Sequence, residues 1–145
     1  MAGSKKDNFE NALLLLLFNN TALSGIGSNL PQSVTAGSLY IALYTSNPSD
    51  SAQGTEASYT NYARVAVARS SAGWTVSGNG VSNAAIVTMP ACGATGATLP
   101  GFAICKAGTT GVDDAIYWGS LTTTKTVANG DTITFAIGDI TITED

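Results

Sequence analysis

Asp113 and Asp114 stand side by side, and adjacent carboxylates are the first place to look for acid–base chemistry. On an extended chain such neighbours point to opposite faces, and in a turn both reach solvent, so they do not form a carboxylate dyad. With Asp131 and Asp139 they could line a calcium site. A calcium loop needs a dense run of oxygen ligands at alternating positions, however, and none is present, so solvated turn aspartates are the plainer reading. Histidine is absent, which removes the commonest general base, the commonest metal ligand and any Ser-His or Cys-His pair. The Ser-rich stretches contain no G-x-S-x-G elbow, and there is no phosphate-binding loop or dinucleotide fingerprint. Gly25-Ile26-Gly27 resembles half of one but follows no strand-like run, and reads as a loop. The sequence thus implies no catalytic residues, no metal and no cofactor. A hydrolase acting through carboxylates alone, such as a glycosidase, is the catalytic class it excludes least.

The two cysteines, Cys92 and Cys105, lie thirteen positions apart. Cys105 falls in the apolar run FAIC, where a buried free thiol is the ordinary expectation, and spacing alone does not decide whether the two pair. Without histidine they make a poor zinc site. The aromatic residues Tyr40, Tyr44, Tyr59, Tyr62, Trp74, Tyr117 and Trp118 offer a different chemistry, because exposed rings on a sheet can stack on sugars. In the alternation from Ala115 to Gly119, Ile116 and Trp118 share a face, and a core tryptophan is the commoner arrangement there.

These side chains sit in a chain of 145 residues, the size of one domain able to fold without disulfides or metal. Apolar residues make up 44% and charged residues only 11%, well below the roughly 25% usual in soluble domains. A surface so poor in charge favours association, since few like charges hold copies apart. The net charge is −4 and the six basic residues are scattered, so no stripe follows a phosphate backbone and direct nucleic-acid binding is not expected. The longest apolar run, Ala12 to Phe18, is far too short to span a bilayer, and no membrane partner is expected.

Asp7 and Glu10 have the spacing of a helix N-cap and its reciprocal N3 acid, predicting a helix over Asn8 to Asn20. Phe9, Leu13, Leu16 and Leu17 recur at steps of three and four, with Leu14, Leu15 and Phe18 widening the stripe. That stripe needs cover, from the chain's own sheets or from a neighbouring subunit. Thr21 to Gly37, with Pro31, reads as a loop or arm. From Leu39 the period becomes two: Leu39, Ile41 and Leu43 face one way, Tyr40, Ala42 and Tyr44 the other, until Asn47-Pro48-Ser49-Asp50 ends the strand. Further strands are predicted over Tyr62 to Arg69, Gly73 to Ser77, Asn83 to Met89, Thr98 to Lys106, Ala115 to Leu121, Asp131 to Ile137 and Asp139 to Thr143. Turn residues at Ser77-Gly78-Asn79-Gly80, Gly108-Thr109-Thr110-Gly111 and Ala128-Asn129-Gly130-Asp131 separate several of them. The expected fold is mainly β: an antiparallel β-sandwich, jelly-roll-like, over 39–145, preceded by a helix and arm over 1–38.

In order, LYIALYTSNPSD, YARVAV, SNAAIVTMP and IYWGSLTTTKTVANGDTITFAIGDITIT resemble a family of small tailed-bacteriophage virion proteins, often labelled tail-fibre or minor structural proteins. Some head decoration proteins look similar in size and fold. The resemblance implies a non-enzymatic structural protein of the virion. The first expectation is a capsid decoration or cement protein that oligomerises on the head and contacts the major capsid protein or other virion proteins. The alternative is a tail or tail-fibre protein contacting a partner or host glycan, and a carbohydrate-binding domain or carboxylate-dependent hydrolase is the third. Leu13, Leu16, Leu17 and Phe18 are the expected assembly contact, and Tyr44, Asn47 and Pro48 are expected to shape an exposed loop. Arg64, in YARV, is either a buried ion-pair partner or a solvated strand residue.

Overall fold

The computed structural model describes residues 5–25 and 32–144. The Ile26-Gly27 part of the half-fingerprint, Pro31 and Asp145 lie outside them. Among the described residues there are one helix, α1 (Asp7–Asn19), and ten strands: β1 (Ser38–Ser46), β2 (Thr55–Glu56), β3 (Val65–Ala68), β4 (Trp74–Ser77), β5 (Gly80–Asn83), β6 (Val87–Thr88), β7 (Ala97–Cys105), β8 (Ala115–Val127), β9 (Thr134–Phe135) and β10 (Thr141–Thr143). The chain is mainly β with antiparallel pairing and a short N-terminal helix, as the period-two runs imply.

The chain divides into two compact units, one of residues 1–38, 67–86 and 135–145, the other of residues 39–66 and 87–134. In the first, α1 packs on β4 and β5. Leu14 and Phe18 are fully buried, and Phe18 meets Trp74 edge to face with ring centroids 4.8 Å apart. Phe18, expected at the assembly contact, is instead packed inside this unit, because its ring is used against Trp74. Leu13, Leu16 and Leu17 are half-buried. The helix begins one residue earlier than the capping pattern suggests: Lys6 is the N-cap, with no side-chain cap bond, and Asp7 lies inside the first turn. It ends at Asn20 in the left-handed conformation, where the Thr21 N–H reaches back to the Leu15 carbonyl at 3.0 Å. Arg69 completes this end, donating to the carbonyls of Leu17 (2.6 Å) and Leu16 (2.7 Å), a cation placed where the helix dipole is negative.

The small sheet of this unit has the order β10-β5-β4. Ser77 pairs with Gly80 across a two-residue turn whose first member, Gly78, has φ +59°, the sign that a tight hairpin turn demands there. The predicted strand Asn83 to Met89 is broken after Asn83, whose buried side chain serves as a staple instead. Its amide donates to Ala85 O (2.8 Å) and Ala136 O (2.7 Å), and its carbonyl accepts the Ile140 N–H (2.9 Å).

In the second unit the larger sheet runs β2-β1-β7-β8, with β3 also paired to β1. β1 and β7 are in register from Tyr40 with Cys105 to Tyr44 with Gly101. Ile41, Ala42, Leu43 and Tyr44 are all buried, so this stretch is covered on both faces and not on one. The expected strand Asp131 to Ile137 shrinks to Thr134–Phe135 because turns flank it. Ala128 N–H donates to the Asp131 carboxylate at 2.8 Å and, in the first unit, Ala136 N–H to that of Asp139 at 2.7 Å, with Gly130 and Gly138 at positive φ in the respective turns. These aspartates close turns. Both cysteines are buried and free.

Candidate functional site

The buried charge of the second unit gathers around Arg64. Its side chain is 0% exposed, and Glu56 and Asp114 beside it are 5% and 8% exposed. Nε and Nη2 donate to the two Glu56 oxygens at 2.9 and 3.0 Å, the fork-to-fork geometry that fits a guanidinium to a carboxylate. Nη1 donates to Asp114 Oδ1 and to Ala107 O, both at 2.7 Å, and Nη2 also donates to Val112 O at 3.0 Å. All five N–H groups are thus used. Burial alone would lower the guanidinium's proton affinity, but the bonds to Glu56 and Asp114 outweigh it and raise the value above the ordinary one. Tyr62 extends the network, donating to Glu56 at 2.8 Å and accepting the Leu43 N–H at 3.0 Å. Burial is the main reason its phenol titrates above the ordinary range.

This cluster fastens one loop. Asp114 also accepts the Ala107 N–H at 2.6 Å, and Glu56 accepts that of Gly111 at 2.5 Å, so the segment between β7 and β8 is pinned at both ends and in its middle. Gln53 donates to Gly111 O at 3.0 Å and joins it to the loop after β1.

That second loop is pinned by close packing. The Asn47 side chain lies over Gly101, where a Cβ would collide with its Oδ1, and its amide donates to Ser120 at 3.0 Å. Gly54, at φ +72°, lets the chain return under the Asn-Pro bond; a Cβ there would stand 2.6 Å from Pro48 N. Tyr44 is 1% exposed, Pro48 is buried and Asn47 half-buried. These three, expected to shape an exposed loop, are not themselves at its surface: they hold it from within, over the space that Gly101 leaves. The exposed part is the turn Ser49–Ala52, closed by a Ser49 N–H to Ala52 O bond of 2.9 Å.

Between the two loops lies a cleft of about 340 Å³ lined by Pro48, the 49–52 turn, Asp113, Ala115, Ile116 and Trp118. Trp118 is 43% exposed, whereas Trp74 is 0% exposed. The sequence expectation of a core Trp118 is overturned, and Trp74 and Tyr44, which looked available for sugar stacking, are interior. The adjacent aspartates part company: Asp114 turns inward to Arg64 and Asp113 outward to the cleft. Periodicity could not find Glu56 or Asp114 as Arg64's partners, since they lie 8 and 50 positions away. The scarcity of charge was the one hint that ionic side chains here can have structural tasks.

Among the described residues no group of three potential metal ligands comes together, and no helix is long and apolar enough to cross a membrane. Burial raises the Cys105 thiol to about 12, so it is held as a thiol and not as a nucleophile. The second unit is a β-framework carrying two braced loops. Residues 5–143 match the family model described as podophage GP4 fiber I protein gp80. The chain belongs to this family of phage fibre and virion structural proteins, and membership implies a location in the virion. No curated protein matches it.

Proposed function

We propose that this protein is a non-catalytic structural component of the phage tail fibre. The observation that carries the reading is the family match over residues 5–143, whose description is of a fiber protein. A head decoration role, the first expectation from sequence, has no comparable support. The build described above agrees with a mechanical role: the ionic side chains of Arg64, Glu56, Asp114 and Arg69 hold loops and a helix end, and the chain carries only 11% charged residues. Copies associate with one another and with other virion proteins, and the half-buried Leu13, Leu16 and Leu17 are the part of the predicted contact still open to a second copy.

Antibody labelling of intact particles, or a reconstruction of the virion, tests the location. Density or label on the fibres is expected. Copies confined to the head shell, in the hundreds that a shell requires, would return the decoration reading.

A further inference from the structure

We propose that the cleft between the Ser49–Ala52 turn and Trp118 is a saccharide-binding site that takes a neutral or amino pyranose. The proposal stands on the cleft's chemistry and goes beyond the fibre reading, since it holds wherever on the particle the protein sits.

A pyranose is amphipathic: one face presents C–H groups and the rim presents hydroxyls. The cleft offers the complement. Trp118 supplies the large exposed aromatic surface, 43% accessible, and apolar C–H faces pack against such a ring. Around it stand the carboxylates of Asp50 and Asp113 and the hydroxyls of Ser49 and Ser51. Carboxylates accept from sugar hydroxyls in charge-assisted hydrogen bonds, stronger than neutral ones. The remaining wall, Pro48, Ala52, Ala115 and Ile116, is small or apolar.

Neither carboxylate of the cleft is engaged by the fold among the described residues. Asp114, Asp131, Asp139 and Glu56 all accept hydrogen bonds from the protein. Those of Asp50 and Asp113 accept none among the described residues, and both line this one cleft. Two negative charges also select against acidic sugars, which would meet like charge.

The walls are held before any ligand arrives. Asp113 follows the Val112 carbonyl that Arg64 binds and precedes the Asp114 carboxylate that Arg64 pairs with, so its backbone is fixed on both sides. Asp50 is at the tip of a turn whose stem is locked over Gly101 and Gly54, and Gln53 bridges the two loops. Ordering costs that would otherwise weaken binding are met by the fold.

The test is saturation-transfer NMR of the purified protein, in 150 mM salt, with methyl glucoside, methyl galactoside, N-acetylglucosamine and sialic acid, followed by a glycan array. At least one neutral or amino pyranoside is expected to bind, at about millimolar Kd for a single ring, and sialic acid is not. Trp118→Ala should abolish the signal, and Asp50→Asn or Asp113→Asn should weaken it about tenfold. Circular dichroism confirms folding, and Trp118→Phe, which keeps a ring, should retain part of the binding. No pyranoside binding at tens of millimolar and none on the array, or binding unchanged in Trp118→Ala, would overturn the proposal. Binding of penta-lysine in place of any sugar, lost in the aspartate variants, would overturn it in favour of a cationic ligand.

Discussion

The Asn47 side chain occupies the space that a Cβ at Gly101 would need, so a loop after β1 and the middle of β7 are fitted to each other by the absence of a single carbon. Asn47 Oδ1 is buried there without a hydrogen-bond donor among the described residues, and the Nδ2–Ser120 bond orients the amide. Packing holds this turn more than polar pairing does. Gly101→Ala should therefore cost about 1–3 kcal/mol through overpacking, read as a lower urea midpoint at unchanged slope. Asn47→Ala made together with Gly101→Ala should recover part of that loss, the Gly119 carbonyl still standing 2.7 Å from the new Cβ; fully additive losses would mean that the two residues do not compete for space.

Arg64 tests the opposite kind of contact. Replacing it with Met leaves Glu56 and Asp114 as buried, unpaired charges, and the expected loss is about 3–5 kcal/mol in chemical denaturation. Arg64→Lys should also destabilise, because an ammonium cannot make the forked contact with Glu56 while serving Asp114 and two carbonyls. Combining Arg64→Met with Glu56→Gln and Asp114→Asn should restore stability towards wild type. A loss under about 1 kcal/mol for Arg64→Met would show the network to be far wetter than its 0% side-chain exposure implies.

Alkaline pH gives a third readout. Burial raises the Cys105 thiol from 9.0 to about 12, and raises Tyr44, Tyr59 and Tyr62 above the ordinary phenol value of 10.0. In each case the folded value exceeds the unfolded one, so the fold favours the protonated, neutral form. Their stabilising contribution is complete below pH 9.0 and declines as pH rises through 9.0, for the thiol, and then through 10.0, for the phenols. Thermal midpoints should fall across this range, and Cys105→Ala should flatten the earliest part of the fall. A midpoint level up to pH 11 would contradict the burial of these groups.

Asn83 predicts a loss without any charge. Asn83→Leu removes the partners of two carbonyls and the Ile140 N–H in the first unit, at about 1–3 kcal/mol for each group left unmet. Hydrogen exchange at Ile140 should accelerate with it. Unchanged protection there would show that the staple is dispensable.

How much of this could be seen in the sequence depends on the range of the interaction. The alternation from Leu39 to Tyr44 gave β1 because a strand imposes its period locally, and the leucine run gave α1 for the same reason. β5 escaped, since Gly80 and Asn83 are weak strand formers and only pairing with β4 makes Gly80–Asn83 a strand. β8 extends six residues past its expected end, through the threonines to Val127, where β7 offers Ala97 to Leu99 as partners. The Arg64 partners were invisible because the pairing exists only once loops distant in sequence meet. Trp118 was misread because alternation says which side chains share a face, not whether that end of the face is covered.

Counterions cannot reach a guanidinium that is 0% exposed, whereas an ion pair on the surface weakens as dissolved salt gathers round it. The bracing of the loop that carries Asp113 therefore keeps its hold in dilute buffer and in concentrated salt alike.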